Sequence, residues 1–145
     1  MRIEIILITA WLWFCGIRNS TKLWYAVIMR KAAKAGKLTE VSAVIIRQIG
    51  AGRGGYRRHI WAEYTLNDVQ YTGKMICVPR LPVRTGGSYT AFVCRKLPAW
   101  FVTDIKQTFD AVLTYAVLAP LALLGAAVFT FFQILEYLQK MGVIR

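Results

Sequence analysis

Apolar and polar positions divide the chain into three kinds of segment. Residues 111–135 form a run of 25 without one charged side chain. As a helix this run would reach roughly 37 Å at about 1.5 Å per residue, more than the ~30 Å hydrocarbon core of a bilayer. It predicts a transmembrane span. Residues 5–17 are also uncharged and carry Trp11, Trp13 and Phe14. This run is short for a span, but Glu4 can sit among the far headgroups, and the stems of Arg18 and Lys22 can snorkel. A signal peptide would need small residues where Trp11, Trp13 and Phe14 stand. A buried core helix is the other alternative for such a length. We read the run as a short or tilted transmembrane helix, with Trp11, Trp13, Trp24 and Tyr25 as interface anchors.

Residues 20–37 follow a helical pattern. Leu23, Ala26 and Val27 make an apolar side, Arg30, Lys31, Lys34 and Lys37 crowd the distal end, and Gly36 is a stop signal. Such a basic amphipathic helix either lies along an anionic leaflet or carries the first span onward into water. From residue 39 to residue 94 the period changes to two. Ile60, Ala62, Tyr64 and Leu66 alternate with Trp61, Glu63 and Thr65, and Asn67-Asp68 marks a turn. Residues 41–49, 71–78 and 89–94 also have strand character, separated by loops rich in glycine and proline. These segments predict a small antiparallel β barrel or sandwich.

Composition explains how the segments coexist. The chain has 145 residues, is 57% hydrophobic, and still carries a net charge of +12. Of its 19 lysines and arginines, only Arg2, Lys140 and Arg145 lie outside residues 18–106. Apolar spans thus bracket a basic, water-exposed middle. The clustering of basic residues on the inner flanks of both spans predicts a cytoplasmic middle region with both termini outside. The expected fold is α+β, with a first transmembrane helix over 1–19, a basic amphipathic helix over 20–37, a β domain over 38–98, and an interfacial segment plus second span over 99–140. In that last segment Pro98, Trp100 and Phe101 read as interface anchors, and Thr103 or Asp104 as a helix cap.

One segment carries a resemblance. Residues 63–71, Glu-Tyr-Thr-Leu-Asn-Asp-Val-Gln-Tyr, resemble the E-Y-T-v-d/n-G-x-x-Y segment of an uncharacterised family of bacterial membrane proteins. Residues 36–41 resemble that family's opening G-x-v-x-x-V strand, and residues 87–98 its closing strand. The chain departs from the pattern at Asp68-Val69, where the family has glycine, and at Cys94-Arg95-Lys96, where it has Tyr-Asp-Pro. The resemblance implies one small β domain beside one or two membrane helices in a bacterial inner membrane. It implies no reaction and no catalytic residue.

The side chains able to do chemistry are sparse. Residues 50–55 match G-x-G-x-x-G, but residues 56–61 read as a strand, whereas a dinucleotide site needs a helix there. A glycine-rich hairpin loop is the better reading. That loop holds Arg53, Arg57 and Arg58 beside Tyr56, His59 and Trp61, a set suited to lipid headgroups, a protein partner, or phosphates and stacked bases, or to a solvated loop. Arg80 and Arg84 would extend this set if the two loops share one end of the domain. The seven acids are scattered without acid–base spacing, and three cysteines are too few and too spread for zinc. Cys77 and Cys94 are expected on neighbouring strands. No enzyme, cofactor or metal is expected. In the long run, Ala116, Ala119, Ala122 and Ala126 form a small-residue stripe suited to helix packing against the first span, a second copy or another protein, and Pro120 is a possible bend. The expected role is an accessory or regulatory membrane protein whose β domain docks a partner protein or anionic lipid headgroups. The alternatives are an immunity or protective protein against a membrane-acting toxin, and a membrane-tethered nucleic-acid binder.

Overall fold

The computed structural model describes residues 3–50 and 59–143. The element order is α1 (Ile3–Lys34), β1 (Leu38–Ile49), β2 (His59–Leu66), β3 (Val69–Met75), β4 (Ser88–Cys94), β5 (Leu97–Val102) and α2 (Lys106–Lys140). The chain divides into two compact units, one of Met1–Leu23 with Thr114–Arg145 and one of Trp24–Leu113.

In the first unit, α1 and α2 run antiparallel. Gln133 Nε2 donates to Thr9 Oγ1 at 2.7 Å, and Trp13 Nε1 to Thr130 Oγ1 at 3.1 Å. Lys22 Nζ lies 5.4 Å from the Tyr115 ring centroid. A Cβ on Gly16 would come within 2.6 Å of Leu123 Cδ2, so glycine sets the closeness of the approach. Both helices are long and apolar enough to cross a membrane, and only 11% and 17% of their most apolar windows are buried. The segments 1–19 and 20–37, read separately from the sequence, run as one helix without a break to Lys34. Neither Pro120 nor Gly125 interrupts α2.

In the second unit, each strand pairs with two others, and the ladders close in the order β1-β2-β3-β5-β4 and back to β1. The expected alternation of β2 is present: Ile60, Ala62, Tyr64 and Leu66 point inward and are buried. They meet Ala43, Ile45, Met75, Ala91, Val93 and Phe101 in one core. Asn67 and Asp68 both take positive φ (51° and 62°), which closes the β2–β3 hairpin in two residues. Asn and Asp tolerate that conformation, and so this turn does without the glycine of the resembling family.

Two expectations need correction. The sheet is mixed: β3 and β5 are parallel through Lys74 opposite Trp100 and Met75 opposite Phe101. Also, the β domain does not stop at residue 98. Leu97–Val102 is a fifth strand, and Phe101 is a fully buried core residue, not an interface anchor. Pro98 and Trp100 disguise this strand, since an aromatic beside a proline also suits a membrane interface. A capping box links β5 to α2. Asp104 Oδ1 accepts from the Lys106 amide at 2.8 Å, and Gln107 Oε1 accepts from the Asp104 and Thr103 amides at 3.0 and 2.7 Å. This is the reciprocal arrangement in which both side chains satisfy first-turn amides.

Candidate functional site

The outer face of the closed sheet carries a transverse row of cations and aromatics. Arg47 stands opposite Trp61, Trp61 opposite Lys74, and Lys74 opposite Trp100, on four successive strands. Arg47 Cζ lies 5.3 Å and Lys74 Nζ 5.1 Å from the Trp61 ring centroid. His59 neighbours Trp61 at 6.1 Å between rings, and Trp100 packs against Tyr25 of α1 at 5.6 Å. Each such cation–aromatic contact at an accessible site contributes about 0.5–1 kcal/mol. Such a contact holds the Arg47 charge in place without cancelling it. Arg47 is exposed and forms no ion pair with a described residue.

A bulge in β1 builds this row. Ile45 faces Ala62 and Arg47 faces Trp61, which leaves Ile46 as the extra residue. In an unbroken register Arg47 would fall opposite Ile60, an inward, buried position. The inserted residue turns the guanidinium outward instead, a known use of bulges. The loop before β4 supports the bulged strand. The Ile45 amide donates to Gly87 O, the Gly86 amide to Ile45 O, and Gln48 Nε2 to Val83 O at 2.9 Å.

The residues singled out from the sequence fare differently. Arg53, Tyr56, Arg57 and Arg58 lie outside the described residues, between the facing pair Ile49 and His59. Arg80 makes a two-pronged ion pair with Asp110, at 2.7 and 2.8 Å, so its charge is largely answered within the chain. Arg84 is exposed, and its amide donates to Tyr89 Oη. Arg30 is half-buried over the Phe109 ring at 5.5 Å, whereas Lys31, Lys34 and Lys37 are exposed. On α2, Ala119 and Ala126 are buried, Ala122 is half-buried and Ala116 is exposed. The close contact of this face in the chain is α1, through Gly16 and Leu123.

The cysteines are not on adjacent strands. Cys94 ends β4, Cys77 follows β3, and β5 lies between those strands. Both thiols are free. Burial and the neighbouring Asp110 push the Cys77 thiol up to about 12. It stays protonated and is a poor nucleophile. Among the described residues, no three His, Cys, Asp or Glu side chains gather as a metal site.

Sequence reasoning places Trp61 on the outer side of β2 but misses Arg47 and Lys74 as its partners. Alternation alone cannot reveal a bulge, and the pairing of β3 with β5 spans a long crossover. No protein-family model matches the chain, and no curated protein or solved structure matches it either.

Proposed function

We propose that this is a two-span integral protein of a bacterial inner membrane whose cytoplasmic β unit is a non-catalytic docking module for anionic lipid headgroups. The observation that carries this reading is the Arg47–Trp61–Lys74–Trp100 row. Alternating tryptophan and basic residues is the composition that settles at a membrane–water interface. Each basic residue near an anionic leaflet contributes about 1 kcal/mol, and the exposed Lys31 and Lys34 add to the same attraction. The row offers charge and stacking surface.

The helices support the membrane address. Trp11, Phe14, Ile17, Leu121, Leu124, Val128 and Phe132 are all exposed, an apolar area that a water-soluble monomer rarely leaves uncovered. The polar groups Thr9, Trp13, Thr130 and Gln133 bond across the helix pair, as groups at membrane depth must.

The test is a footprint on the full chain in lipid nanodiscs. Acetylation of Lys74, read by mass spectrometry, is expected to slow several-fold when phosphatidylglycerol replaces part of the phosphatidylcholine, and to recover at high salt. Equal rates in the two kinds of disc would refute headgroup docking.

A second reading has one observation behind it. A closed five-stranded Greek-key sheet is the architecture of OB-folds, whose strand 2–3 face binds oligonucleotides; here that face carries Trp61 and Lys74. This is analogy at the level of fold. Protection of Lys74 by single-stranded RNA in discs of phosphatidylcholine, falling steeply with salt, would favour it.

A further inference from the structure

A different part of the β unit gathers positive charge in a concave surface. Gly36 ends α1 in the left-handed conformation (φ 66°), while the Gly36 and Lys37 amides donate to Ala33 O and Ala32 O. This is a Schellman closure, and it fixes Lys37 at the head of β1. The β1–β4 ladder ends with Leu38 opposite Cys94. Lys37 stands just before β1, and Arg95 is the first residue of the two-residue turn between β4 and β5. Gly36, Lys37, Leu38, Thr39 and Arg95 line one pocket of 320 Å³. Lys37 and Arg95 are exposed, and neither forms an ion pair with a described residue.

Two cations that line one pocket repel each other. An anion between them removes that cost. The donors present suit one kind of anion: a guanidinium fork, an ammonium point charge and the Thr39 hydroxyl match the oxygens of a phosphate group. We infer that this pocket is a binding subsite for a phosphate group. It is separate from the Trp61 row. Tyr25 packs against Trp100 at one end of that row, and α1 continues nine residues from Tyr25 to Lys34, about 14 Å of rise.

The experiment uses the full chain in phosphatidylcholine nanodiscs, titrated with inorganic phosphate at constant ionic strength. The reporter is the Arg95 Nε resonance in arginine-labelled protein. A saturable shift is expected, and Lys37→Gln should weaken it about tenfold, a loss of one charge-assisted contact. For Arg95→Gln the reading is the phosphate-dependent rise in unfolding temperature, which should disappear. A parallel arm places phosphatidic acid in the discs without inorganic phosphate. A shift in that arm alone makes a lipid phosphate the source and still supports the subsite. No saturable shift with either probe, an equal response to chloride, or full binding in both variants would overturn the proposal. Trp61→Ala and Lys74→Gln should leave phosphate binding unchanged, so failure here is distinct from failure of headgroup docking.

Discussion

Replacing Gln107 with leucine should loosen the β unit at the point where its parallel strands meet. Gln107 is fully buried. Its Oε1 accepts from the amides of Thr103 and Asp104 and from Thr103 Oγ1, and its Nε2 donates to Val78 O at 3.3 Å. One side chain thus ties the end of β5 to the chain that follows β3. Leucine fills a similar volume but makes none of these bonds. Each buried group left without a partner costs about 1–3 kcal/mol. Thr103 and Asp104 are half-buried, so water can reach part of the gap. The net loss should be about 2–4 kcal/mol, a large share of the ~5–15 kcal/mol typical of a folded domain.

Gln107→Glu keeps the acceptor at the helix start, but it loses the Nε2 bonds to Val78 O and Met75 Sδ and buries a carboxylate against the Val78 carbonyl, so it too should cost about 1–3 kcal/mol, less at low pH where the carboxyl is protonated. The assay is denaturant unfolding of the full chain in mild detergent, followed by pulse proteolysis of the β unit. Lys74 and Trp100 face each other next to this junction, so acetylation of Lys74 should also lose its dependence on anionic lipid in the leucine variant. A loss below ~0.5 kcal/mol for leucine, or a glutamate variant as stable as the native chain at neutral pH, would refute the reasoning.

Two more outcomes are expected from the same structure. Burial, followed by the neighbouring Tyr71, raises the Tyr64 phenol to about 12. The native state favours its neutral form, so its contribution to stability is complete below pH ~10 and is lost as pH climbs toward ~12. Tyr64→Phe should therefore flatten the alkaline stability slope, although it loses the bond to Pro98 O; an unchanged slope in unfolding titrations would exclude this cause. Gln133→Leu removes the bonds to Thr9 Oγ1 and Ile5 O. It should weaken the helix pair by about 0.6–1.7 kcal/mol, seen as less disulfide trapping between cysteines placed at Trp13 and Thr130. Equal trapping would show that packing alone holds the pair.

Much of this architecture is legible in the chain. The uncharged run over 111–135 predicts α2 because length and composition alone set that signal. The alternation of β2 gives its inward and outward faces correctly, since burial on one side of a pleated strand requires it. Asn67-Asp68 marks its hairpin for a local reason: both residues accept positive φ. The features that stay hidden depend on distant partners. Leu97–Val102 becomes a strand through pairing with β3 and β4, which no local pattern encodes. Residues 41–49 show strand character without assigned faces, and only the extra Ile46, seen against β2, reveals that Arg47 faces outward opposite Trp61. In the small-residue stripe of α2, Ala119 and Ala126 are buried and Ala116 is exposed, since spacing alone does not fix how far around the helix burial extends.

The ring of ladders has one more consequence. Where the ladders close the ring, no backbone edge is left for strand addition by another protein. Along those stretches, recognition falls to side chains. Yet the ring is shut at the β3–β5 seam by two facing pairs only. If that seam parts, two backbone edges are uncovered at once, and the module becomes a template for pairing with other chains. The seam is therefore where docking selectivity and resistance to aggregation depend on the same few residues.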